Sequence, residues 1–95
     1  MSVETGRATT AHASRYLQQL AKHWAHRNVV TFDTEHADIA LRGNRVQMQA
    51  EPDGLVVTLT TGPEGNPLRL RSVFEEHINR FAFREGELSF NWQSR

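Results

Sequence analysis

The side chains with the most chemistry to offer in this chain are its five histidines and a set of arginines. His12, His23 and His26 fall in one narrow arc of a helical stretch, beside its apolar face. His12 is about 16 Å along the axis from His23 at 1.5 Å per residue, too far for all three to share a metal. His23 and His26 can share one, but two imidazoles are an incomplete coordination shell, and a third ligand would have to come from elsewhere, such as the acidic turn Asp33-Thr34-Glu35-His36. The competing account is local. Lys22, His23, His26 and Arg27 end the stretch where cationic or polarisable groups complement exposed carbonyls and the negative end of the helix dipole.

His77 poses a different question. It lies near the middle of a second apolar stripe formed by Leu70, Val73, Phe74, Ile78 and Phe81. Burying an imidazole there costs desolvation of polar nitrogens, which the Tyr16 hydroxyl, a backbone carbonyl or the Trp24 indole can offset. The functional alternative is a proton carrier or a ligand contact at a cleft between helix and sheet.

Arg69 and Arg71 open the second helix, and Glu75 and Glu76 follow a turn later, the reverse of what the helix dipole favours. Pairing of Arg71 with Glu75 accounts for this, and an anion held at the Asn66-Pro67 helix start is the other reading. Arg80, Arg84, Glu85 and Glu87 crowd the turn after the helix, where such a set usually forms surface ion pairs. Guanidinium groups recognise carboxylates and phosphates as a bidentate fork, so Arg80 and Arg84 are the candidates for an acidic ligand. There is no nucleophile triad, paired-carboxylate spacing, dinucleotide fingerprint or phosphate loop, and no catalytic residue or cofactor is assigned.

The elements that must position these groups are legible from period. Residues 1–9 are polar, contain Gly6 and read as a flexible tail, leaving 10–93 as a single domain. Thr10 can cap a helix to about Arg27, with Ala13, Tyr16, Leu17, Leu20, Ala21 and Trp24 on one face. Strand patterns follow: Val30 and Phe32; Ala37, Ile39 and Leu41; Val46, Met48 and Ala50; Leu55, Val57 and Leu59. Turns at Arg42-Gly43-Asn44 and Glu51-Pro52-Asp53-Gly54 join them, the second with Gly54 at a positive dihedral angle. Asn66 caps a second helix with Pro67 in its first position; Gly86 ends it; Leu88, Phe90 and Trp92 alternate as a last strand. The expected fold is α+β in two layers, with an antiparallel sheet of about five strands, two helices on one face, and element order α-β-β-β-β-α-β.

Composition narrows the partners. Eleven basic residues balance eleven acidic ones, which argues against nucleic-acid and anionic-membrane surfaces, although the first helix holds Arg15, Lys22 and Arg27 with no acid. Without cysteine there is no disulfide, thiolate nucleophile or cysteine-ligated zinc. No signal peptide or membrane span is apparent, so a cytoplasmic location is expected.

The block from Thr10 to His26 (TAHASRYLQQLAKHWAH), Phe32-Asp33, the block from His77 to Glu85 (HINRFAFRE) and the closing Trp92 resemble a bacterial family of roughly hundred-residue proteins classed as domain of unknown function twenty-two eighteen. The likeness runs from Thr10 to Trp92. It implies a two-layer domain similar to the last domain of phosphohexomutases and an association with iron and siderophore genes. Where members of that family carry cysteines, this chain has Ala21 and Val46, which removes a thiolate-dependent metal or redox role. The motif includes the positions of His23, His26, His77, Arg80 and Arg84. The resulting expectation is a non-catalytic module for a small-molecule or anionic ligand, linked to iron or siderophore handling through those five residues, with any metal unassigned. A second expectation is a homodimer or complex subunit, joined through the outer strand edge or the Val56 side of the sheet. A third, an enzyme with His77 as general base, lacks a partner residue.

Overall fold

The computed structural model describes residues 2–94. Six strands and two helices follow the order β1 (Ser2–Thr9), α1 (Ala13–Trp24), β2 (Val29–Phe32), β3 (His36–Leu41), β4 (Asn44–Glu51), β5 (Gly54–Thr61), α2 (Pro67–Phe81) and β6 (Asn91–Ser94), with a 3-10 turn at Phe83–Glu85. All strands join one antiparallel sheet in the spatial order β2-β3-β4-β5-β1-β6. From α1 onward the order is the expected one. The sheet has one strand more than expected, and that strand is the segment whose composition reads as a flexible tail.

β1 lies between β5 and β6, in register with both: Gly6 faces Val57 on one side and Trp92 on the other. Its inward residues are Glu4, Gly6 and Ala8, all buried, so its alternation carries no large apolar side chain. A Cβ on Gly6 would lie 2.6–2.8 Å from the Trp92 ring, and the glycine is what lets that ring lie against the sheet. Arg7, on the uncovered face, binds Glu51 at 3.1 Å and Asp53 at 2.8 Å and sits over Gly54. Gly54 has no positive φ, contrary to expectation; it is tight because a Cβ there would collide with the Arg7 guanidinium. The β3–β4 turn does use positive φ, at Arg42 (51°) and Gly43 (82°), the geometry of a two-residue hairpin whose twist matches its strands.

Both helices pack on one sheet face. α1 buries all six residues of its expected stripe. It starts later than expected, because the buried Thr10 turns the chain instead of capping it: its amide donates to the Asp53 carbonyl at 3.2 Å and its hydroxyl accepts from the His12 amide at 3.1 Å. It also ends earlier than expected, at Trp24 and not about Arg27, and Asn28 seals that end by donating from both backbone and side-chain nitrogen to the Trp24 carbonyl at 3.0 Å. In α2 the Asn66 side chain accepts from the Arg69 amide at 3.1 Å, and Pro67 takes the first position. That helix ends at Phe81, with Gly86 (φ 84°) closing the 3-10 turn that follows. Its fully buried stripe is Leu70, Phe74 and Ile78, while Val73, His77 and Phe81 are half-buried along the flank facing α1.

The last strand starts at Asn91, not Leu88, since the Leu88 amide is taken by Asn79 Oδ1 at 2.7 Å. Leu88 is buried, and the Phe90 ring meets Phe74 edge-on at 5.4 Å and stacks on Trp92 at 5.5 Å. Among the described residues no helix is long and apolar enough to cross a membrane.

Candidate helix-seam site

His23 and His77 come together where α1 and α2 cross. Their ring centroids are 5.8 Å apart; Trp24 lies 5.2 Å from His77, and Phe81 lies edge-on to His23 at 6.2 Å. His77 is therefore not enclosed in the middle of the core as its place in the stripe suggests. Half-buried, it lies on the side of α2 where the stripe ends.

The Val73 carbonyl, 2.7 Å from His77 Nδ1, fixes the ring: a carbonyl only accepts, so Nδ1 carries the hydrogen. In the neutral ring Nε2 is then the lone-pair nitrogen, and no other residue among those described bonds it. A neutral imidazole oriented by a backbone carbonyl can accept a hydrogen bond or ligate a metal through its other nitrogen. Two of the three expected offsets for this imidazole, a backbone carbonyl and the Trp24 ring, are thus present, and the third, Tyr16, is engaged elsewhere.

That engagement is a half-buried contact with no signature in the sequence. The Tyr16 hydroxyl donates to Glu85 Oε2 at 2.5 Å, and the Thr10 hydroxyl donates to the same oxygen at 3.1 Å. Glu85 thereby ties the 3-10 turn after α2 to the start of α1, instead of pairing with Arg80 or Arg84. Burial, then the hydrogen bond and negative charge of Glu85, hold the Tyr16 phenol above its ordinary value of 10.0. A raised folded value means the neutral phenol contributes stability below pH 10.0, which is lost as pH rises through the folded value. The alkaline unfolding midpoint is accordingly expected to fall more steeply with pH in the native protein than in Tyr16→Phe. Since Tyr16 is the only tyrosine, tyrosinate absorbance reports its ionisation without overlap.

The remaining predicted residues are placed unequally. His26 is exposed beyond the end of α1 and makes no ring contact with His23 or His77. Arg80 is exposed on the turn of α2 that holds His77 and Phe81. Arg84 is exposed, its guanidinium 5.8 Å from the centre of the Phe83 ring, which is itself 66% exposed. Among the described residues no group of three histidine, aspartate or glutamate side chains is arranged to hold a metal. The acidic turn is committed locally, with Asp33 Oδ1 accepting from the Glu35 and His36 amides at 2.8 and 2.7 Å. Those bonds hold the Asp33 carboxyl below its usual range.

Residues 11–28 and 67–87, which carry both helices, hold seven basic and four acidic side chains, against four and seven in the rest of the chain, so the overall neutrality conceals a basic excess in the helical segments. Among the described residues none of Arg15, Lys22, Arg27, Arg69, Arg80 and Arg84 makes a salt bridge. On the sheet side Arg7 and Arg45 are paired, the latter with Asp38 at 2.5 and 2.8 Å. That contact holds the Asp38 carboxyl below its usual range, against the opposing effect of its partial burial.

A concavity of about 500 Å³ lies on the uncovered face of the sheet and is lined by Thr31, Asp38, Gln47, Gln49, Val56 and Thr58. Its charged groups satisfy one another: Asp38 is held by Arg45, and His36 lies 3.7 Å from Asp33. At the helix seam, by contrast, His77 Nε2 and the Arg80 guanidinium have no partner among the described residues.

Residues 5–93 match a family described as an uncharacterized protein conserved in bacteria, DUF2218. The chain is also similar to PA4090 from Pseudomonas aeruginosa, solved by NMR, at 29% identity over 98% of this chain and 96% of that one, with a TM-score of 0.78. No curated protein matches it.

Proposed function

We infer that this chain, which belongs to the DUF2218 family of uncharacterized proteins conserved in bacteria, is a non-catalytic module that binds an anionic chelate at the helix seam. One observation carries the reading: His23, His77, Trp24 and Phe81 form an aromatic cluster on a helix layer whose arginines and lysine, Arg71 apart, have no acidic partners among the described residues. The imidazole faces, backed by the buried Trp24 ring, suit a planar aromatic ligand, while guanidinium forks suit clustered carboxylate or phenolate oxygens. A ferric siderophore combines both features, and the proposal extends to iron or siderophore handling on that chemistry. Arg80 and Arg84 supply charge, His77 Nε2 supplies an acceptor, and His26 enters only as an outer contributor to the positive field. The location proposed is cytoplasmic.

Titration with a ferric tris-catecholate tests this. Saturable binding is expected, weakening as salt rises, because exposed cations are screened over about a Debye length of 8–10 Å. His77→Gln and Arg80→Gln should each lower affinity roughly tenfold, about 1.4 kcal/mol, with little change in melting temperature. A loss of stability in His77→Gln with affinity intact would instead make that histidine a packing residue.

A further inference from the structure

We propose that the outer edge of β2 docks a second copy of this chain, the two strands running antiparallel about a two-fold axis through Thr31. The proposal is independent of the helix-seam ligand.

β2 is the terminal strand on its side of the sheet. Its pairing with β3 determines which backbone groups are left over. Asp33 N–H donates to the His36 carbonyl at 2.9 Å, so the hydrogen-bonded positions toward β3 alternate back from Asp33 through Thr31 to Val29. The amides and carbonyls of Val30 and Phe32 therefore point away from the sheet. Natural edges are usually blunted by charge, proline or a bulge, and Val-Val-Thr-Phe has none of these. Two of the large apolar side chains exposed in this structure, Val29 (77%) and Phe32 (39%), stand at its two ends.

The register follows from the same bookkeeping. Pairing Val30 of one copy with Phe32 of the other satisfies both outward residues of both chains reciprocally. A shift in one direction needs the Asn28 amide, which is already given to the Trp24 carbonyl at 3.0 Å; a shift in the other needs Thr34, which lies in the turn. In antiparallel pairs residues opposite each other share a face, so Val30 and Phe32 meet on the helix side and the two copies of Thr31 meet on the uncovered side. The layers stay aligned across the junction.

Charge is complementary in that register. It sets the turn carrying Glu35 of one copy against the chain entering β2 at Arg27 of the other, and the two-fold repeats the contact. Both residues are exposed, and among the described residues neither makes a salt bridge. A short edge with two such contacts is the kind of self-complementary patch that closes a symmetric dimer.

Sedimentation velocity over a concentration series of the full chain is the test. A reversible dimer is expected. Thr31→Lys, which brings like charges together on the axis, should leave only monomer. Arg27→Glu and Glu35→Arg should each weaken the dimer roughly tenfold, and the double reversal should restore it, a recovery that misfolding cannot imitate. A native protein that stays monomeric throughout would overturn the proposal. So would a dimer indifferent to Thr31→Lys and to both reversals, which would put the contact on the β6 edge or the uncovered sheet face.

Discussion

A chain shortened to begin at Thr10 is expected to lose cooperative folding. The removed segment, β1, is the second strand from one end of the sheet, and it is the pairing partner of β6. Without it, β5 becomes an edge, Trp92 loses the glycine surface on which it lies, and the Arg7 clasp to Glu51 and Asp53 disappears. Domains of this size carry only about 5–15 kcal/mol of net stability, and the loss of a fully paired inner strand is of that order. Circular dichroism melts and amide NMR dispersion check the result. A shortened chain that still melts sharply near the native temperature would show that the first strand is peripheral.

Arg71→Met carries the second large effect. Glu4 points from β1 into the space under α2, is 7% exposed, and is bonded by Arg71, whose guanidinium also lies 5.4 Å from the centre of the Trp92 ring. Removing the arginine leaves a buried carboxylate without its cation. The expected loss is about 2–4 kcal/mol, toward the low side of the range for buried pairs because part of the Arg71 side chain reaches water. For a chain of this length that is a fall in melting temperature of about 10–25 °C. The companion Glu4→Met/Arg71→Met double substitution should recover most of the loss, since an apolar pair of similar volume has no charge left to satisfy. Equal losses in the single and double variants would mean that packing of the arginine stem on Trp92, not the ion pair, supplies the stability.

Both results concern the one strand that hydrophobic periodicity does not reveal. α1 and the meander from β2 to β5 are legible because each alternates large apolar residues with polar ones at its own period. β1 is not, because its inward side chains are a carboxylate, a hydrogen and a methyl. A clue to it is nevertheless present in α2. Arginines at the wrong end of that helix require an acid, and it is Glu4 across the core, not Glu75 a turn away, which instead approaches the Trp92 indole nitrogen at 3.4 Å. The acidic partner lies in the segment whose polar composition suggests a tail.

The site divides in the same way. That His23 stands at the margin of an apolar stripe follows from period, but period puts His77 near the middle of its own stripe, so the meeting of the two rings is visible only once the helices are packed. The depth of His77 does not follow. The stripe of α2 is centred on Leu70, Phe74 and Ile78, one edge farther round than the sequence suggests, because Val73, His77 and Phe81 turn toward α1. His26 stands past the last helical turn, where helical periodicity no longer predicts direction. Tyr16 and Glu85 meet over a separation that only tertiary structure closes.

The central claim is that the helix seam is a ligand site, and ring NMR tests it most directly. Adding the gallium(III) form of a tris-catecholate chelate, a diamagnetic stand-in for the ferric one, should move the His23 and His77 imidazole resonances together along one saturable curve while His36 on the sheet side stays still. If all the histidine resonances hold their positions at saturating chelate, or if His36 moves instead, the seam is packing between two helices and not a binding site.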